Sequence, residues 1–159
     1  SGNPEEGELR PQLLDRFGLS VEVTTPQEIK ARVEIVRLRD EFERDRGAFI
    51  KRFQRKEGKV RRKIQDARAH LESVDLPDAM VETAANLCMT LGTDGLRGEL
   101  TLIRAARALA ALEGAEAVTA EHLRTVAPSV LRHRLRRDPL DEAGSGARVG
   151  RAIEEVFGA

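Results

Sequence analysis

Residues 19–24, LSVEVT, alternate apolar and polar side chains with the two-residue period of a half-buried strand: Leu19, Val21 and Val23 against Ser20, Glu22 and Thr24. A strand this short is not stable alone, and its partners are missing from the sequence. The segments that follow read as helices, so a mainly α architecture is expected.

Composition supports that reading. Aromatic residues make up only 3%, with no Trp or Tyr, so the core must be built from Leu, Val, Ile, Ala and five Phe. Lys plus Arg and Asp plus Glu each number 27, and the balance argues against general affinity for nucleic acid or anionic lipid. Cys88 is the only cysteine, so no intrachain disulfide can form. The uncharged run around it, residues 83–93, falls far short of the ~20 apolar residues that span a bilayer. No secretory signal pattern opens the chain. A soluble, reducing, intracellular home is expected, and the Ala- and Arg-rich composition points to a GC-rich bacterial gene.

The helical segments are punctuated by glycine and proline. Leu13, Leu14 and Phe17 suit one or two turns before the strand. Thr25 as N-cap and Pro26 in the first turn start a helical stripe running to about Arg44 through Ile29, Val33, Val36 and Phe42. Gly47 is the expected break, followed by a long charged helix over about 48–73 that Gly58 kinks or splits. The basic run 51–63 on it reads as a solvated face. Pro77 and Asp78 open a helix ending near Gly92, and residues 93–95 turn into a helix over about 96–113. The apolar face assigned to that helix is Leu100, Ile103, Ala106, Leu109, Ala110 and Leu112, and Gly114 ends it. Thr119 and His122 mark a capped start for a helix to about Arg136. Residues 143–146 are expected to be a flexible link before a last helix over about 147–156.

Complete catalytic machinery is not evident. The Gly58–Lys59 pair lacks the upstream glycine and the Ser or Thr of a phosphate-binding loop. His70, His122 and His133 have no Cys or Glu at zinc-ligand spacing. Cys88, beside Asn86, Leu87 and Met89, reads as a core residue rather than a nucleophile.

Three stretches carry a resemblance. NPEEGELRPQLLDRFGL, residues 3–19, resembles the segment from the sensor-1 strand tip to the arginine finger of AAA+ ATPases, and more narrowly that of the magnesium-chelatase ATPase subunits. DGLRGELTLIRAARALAALEGAEAVTAEHLRTVA, residues 94–127, is similar to the lid of that family, and LRHRLRRDPLDEAGSGAR, residues 131–148, to its C-terminal region. The resemblance covers nearly the whole chain. It implies a helical lid bundle over 76–159, a helical connection over 26–75, and over 1–25 the last short helix and strand of an α/β nucleotide-binding core that is otherwise absent.

The same resemblance implies roles. Asn3 would be the sensor-1 residue beside the γ-phosphate, although an Asn before Pro is by itself a turn former. Arg16 would be an arginine finger acting in the next subunit's site; the plain alternative is a surface arginine beside Asp15. Asp15 would orient Arg16 or face the neighbouring subunit, and Arg10 would be a second arginine at that interface. Arg97 would be sensor 2, on the phosphates of its own subunit's ATP, unless Glu99 pairs with it and makes it merely structural. No metal-binding residue is assigned. ATP and Mg²⁺ are the cofactors implied for the intact parent, and none is expected on this chain alone.

The function implied is a motor coupling ATP hydrolysis to Mg²⁺ insertion into protoporphyrin IX in chlorophyll and bacteriochlorophyll synthesis. A hexameric ring, a related AAA+ partner subunit and a large porphyrin-binding subunit come with it; nucleic acid and membrane insertion do not. The alternatives are a cobaltochelatase ATPase subunit and a non-enzymatic helical interaction module. Because the phosphate-binding loop and Mg²⁺-holding acids belong upstream, the chain is expected to begin inside a longer protein, at a junction, a cut site or the start of a second piece.

Overall fold

The computed structural model describes residues 11–135 and 144–158. Its helices are α1 (Pro11–Leu14), α2 (Ile29–Arg44), α3 (Arg46–His70), α4 (Asp78–Leu91), α5 (Arg97–Glu113), α6 (Ala120–Leu131) and α7 (Gly144–Phe157). Short 3-10 turns follow α3 at Leu71–Ser73 and α6 at Arg132–Arg134. The chain divides into two compact units, one of Ser1–Val21 with Ala67–Ala159 and one of Glu22–Asp66.

In the first unit, α4, α5, α6 and α7 pack around one core. Leu87, Leu102, Leu123 and Leu131 are fully buried there, each side chain contributing roughly 1.5–3 kcal/mol by leaving water. Small residues let the helices approach closely: Ala84 on α4, Ala106 and Ala110 on α5, and Ala127 on α6 are all wholly buried. Helix ends follow local chemistry. Gly92 and Gly114 adopt the left-handed conformation just past α4 and α5, and their N–H groups return to the final carbonyls. At the start of α6 the Thr119 N–H donates to His122 Nδ1 at 2.9 Å, closing a capping box. His122 Nε2 reaches Glu113 Oε2 at 3.3 Å, which gives a buried imidazole a partner on each side. An isolated parallel bridge, Asp75 to Ala117, joins the two loops that flank the bundle.

The second unit is a helical corner. Asp45, not Gly47, breaks the chain between α2 and α3, and its carboxylate accepts the Ala48 N–H at 2.9 Å as an N-terminal cap. Phe42 packs edge-on to Phe49 with centroids 5.5 Å apart, and Phe49 lies 4.7 Å from Phe53. Arg46 lies over the Phe42 ring and Lys56 over the Phe53 ring. No residue of α2 or α3 is buried, so the basic run is a solvated face as read.

Several expectations are corrected. Residues 19–24 form no strand: Leu19, Val21 and Val23 lie exposed, since a strand exists only through a paired neighbour. Helix α2 begins at Ile29 rather than at Thr25–Pro26, and Thr25 caps nothing; its carbonyl instead accepts the Gln27 side-chain amide. Helix α3 runs through Gly58 without a break, because one glycine costs only ~1 kcal/mol in a helix of this length. Residues 144–146 are helical, opening α7 rather than linking to it. On α5 the buried stripe is Gly98, Leu102, Ala106, Ala110 and Ala111, whereas Leu100 is half exposed.

Candidate functional site

Helix α1 is a single turn, and the chain leaves it through a tight turn in which Arg16 N–H and Phe17 N–H bond to the carbonyls of Leu13 and Leu14, each at 3.0 Å. The next residues run along the C-terminal end of α6. That end offers unpaired carbonyls, as every helix C-terminus does. Ser129 carbonyl accepts the Ser20 N–H at 2.7 Å, and Val130 carbonyl accepts Arg134 Nε at 3.0 Å.

Two arginines from different elements converge on Asp15. Arg134, on the 3-10 turn, donates from Nη1 to Asp15 Oδ1 at 2.6 Å and to the Asp15 carbonyl at 2.8 Å. Its Nη2 donates to the Phe17 carbonyl at 2.8 Å. Arg97, in the first turn of α5, donates from Nη1 to Asp15 Oδ2 at 2.5 Å. The two arginines differ in exposure: Arg134's side chain is 3% exposed and Arg97's is 54%. One is a buried fork with its donors committed. The other is a surface guanidinium whose Nε and Nη2 meet no acceptor among the described residues.

His133 completes the contact. Its Nε2 lies 2.8 Å from the Phe17 carbonyl, which can only accept, so Nε2 carries the proton. Its pKa is lowered from the usual imidazole value, chiefly by burial; the Phe17 bond and Asp15 oppose the shift, and Arg134 and Arg132 reinforce it. A neutral ring donating to a carbonyl is the form that this site favours.

Gly98 explains how Arg97 comes to the surface here. A Cβ at Gly98 would sit 3.3 Å from Cys88 Sγ and 3.4 Å from Thr93 Oγ1, so the start of α5 presses close to α4 at this point. Cys88 is buried, and its thiol is pushed up to about 11, first by burial and then by the Glu99 carboxylate. It is a packing residue, as read from the sequence.

Of the sequence-assigned residues, Asp15 and Arg97 are brought together, with Arg16 next to them. Arg16 is exposed, and no described residue accepts a hydrogen bond from its guanidinium. Glu99 does not pair with Arg97; the partner is Asp15. Asn3 and Arg10 lie outside the described residues. Sequence reasoning missed Arg134 and His133. A signal was present, because a basic side chain just past a helix C-terminus is placed to cap its last carbonyls, but the target of the fork lies 119 positions away. Among the described residues no His, Cys, Asp and Glu cluster could hold a metal, and no helix is long and apolar enough to cross a membrane.

Residues 81–155 match the AAA lid domain family. The chain is 62% identical over 157 residues to the magnesium-chelatase 38 kDa subunit of Acidiphilium rubrum, covering 99% of this chain and 46% of the relative. Identity to the Rhodobacter capsulatus 38 kDa subunit is 59%, over 99% of this chain and 45% of the relative. Against the chloroplastic magnesium-chelatase subunit ChlI of Oryza sativa subsp. indica it is 46%, over 99% of this chain and 38% of the relative. The chain thus spans about half the length, or less, of the curated relatives it matches.

Proposed function

Taking this likeness to magnesium-chelatase subunits as the premise, we propose that the chain is the finger-and-lid portion of an AAA+ motor subunit. That subunit would hydrolyse ATP in a homo-oligomeric ring of six and drive Mg²⁺ insertion into protoporphyrin IX, in chlorophyll or bacteriochlorophyll synthesis. Its partners would be a related AAA+ subunit and a large porphyrin-binding subunit.

The observation that carries this reading is that exposed Arg97 pairs with Asp15, the residue that directly precedes exposed Arg16. The donor set fits a phosphate ligand. Arg97 keeps unused N–H groups and stands at the start of the first helix of the matched lid sequence after α4, and Arg16 has no acceptor among the described residues. Arg97 would hold the phosphates of ATP in its own subunit. Arg16 would enter the neighbouring subunit's site, where a planar, permanently charged fork stabilises charge gathering on a transferring phosphoryl group. Such a finger supplied in trans is worth ~10³–10⁵ in rate. Bound ATP supplies the phosphoanhydride bond, and this chain's residues bind and orient it. Asn3 is assigned the sensor-1 role, and Arg10 a place at the interface with Asp15.

The test uses a full-length subunit carrying these residues. Arg16→Ala and a variant defective in the upstream phosphate-binding loop are each assayed for ATP hydrolysis, alone and then mixed. Recovery on mixing supports a finger that completes the neighbour's site. No recovery from rings shown to contain both variants reduces Arg16 to a surface arginine.

A further inference from the structure

Resting on the reading of Arg16 as a finger in trans, we infer that Arg134 is its positioning residue: it fastens the finger turn to the lid, so that Arg16 moves with the lid of its own subunit. Three features carry this.

The first is how the donors are spent. Arg134 makes one bond to its own helix end, at Val130, and three to the turn that bears Arg16, at the Asp15 carbonyl, the Asp15 carboxylate and the Phe17 carbonyl. The residues gripped are the two neighbours of Arg16, and Arg16 itself is left out. A planar fork holding both flanks of a residue limits where that residue's side chain can reach.

The second feature is redundancy at the same end of the lid. The Phe17 carbonyl takes a second donor from His133 Nε2 at 2.8 Å, and the Ser20 N–H donates to Ser129 at 2.7 Å. Residues 15–20 are thereby bound to one stretch, 129–134, at the end of α6.

The third is the contrast between the two arginines on Asp15. Arg97 is half exposed and holds one carboxylate oxygen, so a phosphate can draw it away. Arg134 is buried and holds the other oxygen, so the turn stays on the lid when Arg97 leaves. Asp15 is then the point where occupancy of one site is felt by the residue that serves the next. A phosphate that takes Arg97 removes one of the two cations on Asp15 without releasing the turn. Lid movement in one subunit is passed to Arg16, and so to the neighbour's site.

The experiment extends the mixing assay in the full-length subunit. Arg134→Gln removes the fork at modest change in volume. Alone, it is expected to lower kcat on the order of 10²-fold, as a displaced catalytic group does, while a fluorescent ATP analogue binds its own site with unchanged affinity. Mixed with the phosphate-binding-loop variant, whose finger is intact, it recovers hydrolysis.

If Arg16→Ala recovers on mixing but Arg134→Gln does not, the positioning role is overturned and the finger stands. If neither recovers in rings that contain both variants, the finger reading fails, and the role of Arg134 fails with it. Arg134→Lys keeps the charge without the planar fork and takes the place of Arg134→Gln should that variant not fold; wild-type activity in Arg134→Lys overturns the need for the fork. Amide exchange gives a readout separate from catalysis. Exchange at Ser20 is expected to accelerate in both variants while the amide of buried Leu102 stays protected, and unchanged exchange at Ser20 overturns the docking.

Discussion

Arg134 grips Asp15 twice, through the carboxylate at 2.6 Å and through the peptide carbonyl at 2.8 Å, although the two residues are 119 positions apart. Arg97 holds the same carboxylate by its other oxygen. This division makes the two ion pairs unequal, and the difference is measurable.

Asp15→Asn removes both pairs and leaves a buried guanidinium with carbonyl acceptors only. A loss of about 1–3 kcal/mol is expected, the usual cost of removing a charged hydrogen-bond partner from a buried donor. Arg97→Gln removes only the exposed pair and is expected to cost under ~1 kcal/mol, since both of its partners are well solvated. Urea midpoints of the two variants check this; equal losses reject the distinction.

Gly98→Val places branched carbon against Cys88 and Thr93, where even a Cβ stands 3.3 Å and 3.4 Å from its neighbours. Overpacking of this kind costs on the order of 1–3 kcal/mol. Because Gly98 follows Arg97, the variant is also expected to displace the Arg97 guanidinium and to weaken the full-length subunit's affinity for a fluorescent ATP analogue. A stability loss with that affinity intact would show that Gly98 serves packing alone.

Protonation of His133 opposes the fold. Its pKa is depressed below 6.5 in the folded state, mainly by burial, and Nδ1 is buried without a partner. A depressed folded pKa stabilises the native state above the unfolded value, and this contribution is lost as pH falls through 6.5 toward the folded value. Stability is therefore expected to drop in mildly acidic solution. His133→Gln, which can still donate to the Phe17 carbonyl, should flatten that part of the profile. An unchanged slope in His133→Gln assigns the effect to other groups.

Cys88, with its pKa pushed up to about 11 and its side chain buried, is expected to resist thiol reagents at neutral and mildly alkaline pH. Its raised folded pKa means that its stabilisation is complete below the ordinary thiol value of 9.0 and is lost as pH rises through about 11. Labelling with an aromatic disulfide before and after denaturation checks this. Rapid labelling of the folded chain would place the thiol at the surface.

The ends of α4 and α5 and the start of α6 were legible in the sequence because they are settled within a few residues. Gly92 and Gly114 mark the ends of α4 and α5, where a left-handed residue is needed, and Thr119 with His122 marks the start of α6. The mainly α architecture also followed from the sequence, whereas the strand read over 19–24 does not form among the described residues. Asp15 and Arg97 were legible as candidates through motif resemblance, each in its own stretch.

Tertiary structure decided what depends on distant neighbours. Helical periodicity admits more than one phase, and packing against α4 and α6 turned α5 so that Leu102 is buried and Leu100 is not. Residues 144–146 carry two glycines that argue against helix, yet they continue α7, whose Val149 and Ala152 are held in the core. The meeting of Asp15, Arg97 and Arg134 belongs wholly to this second kind. No local rule joins residues 82 and 119 positions apart; buried leucines bring them together, and the charges then pair because the bundle has placed them within reach.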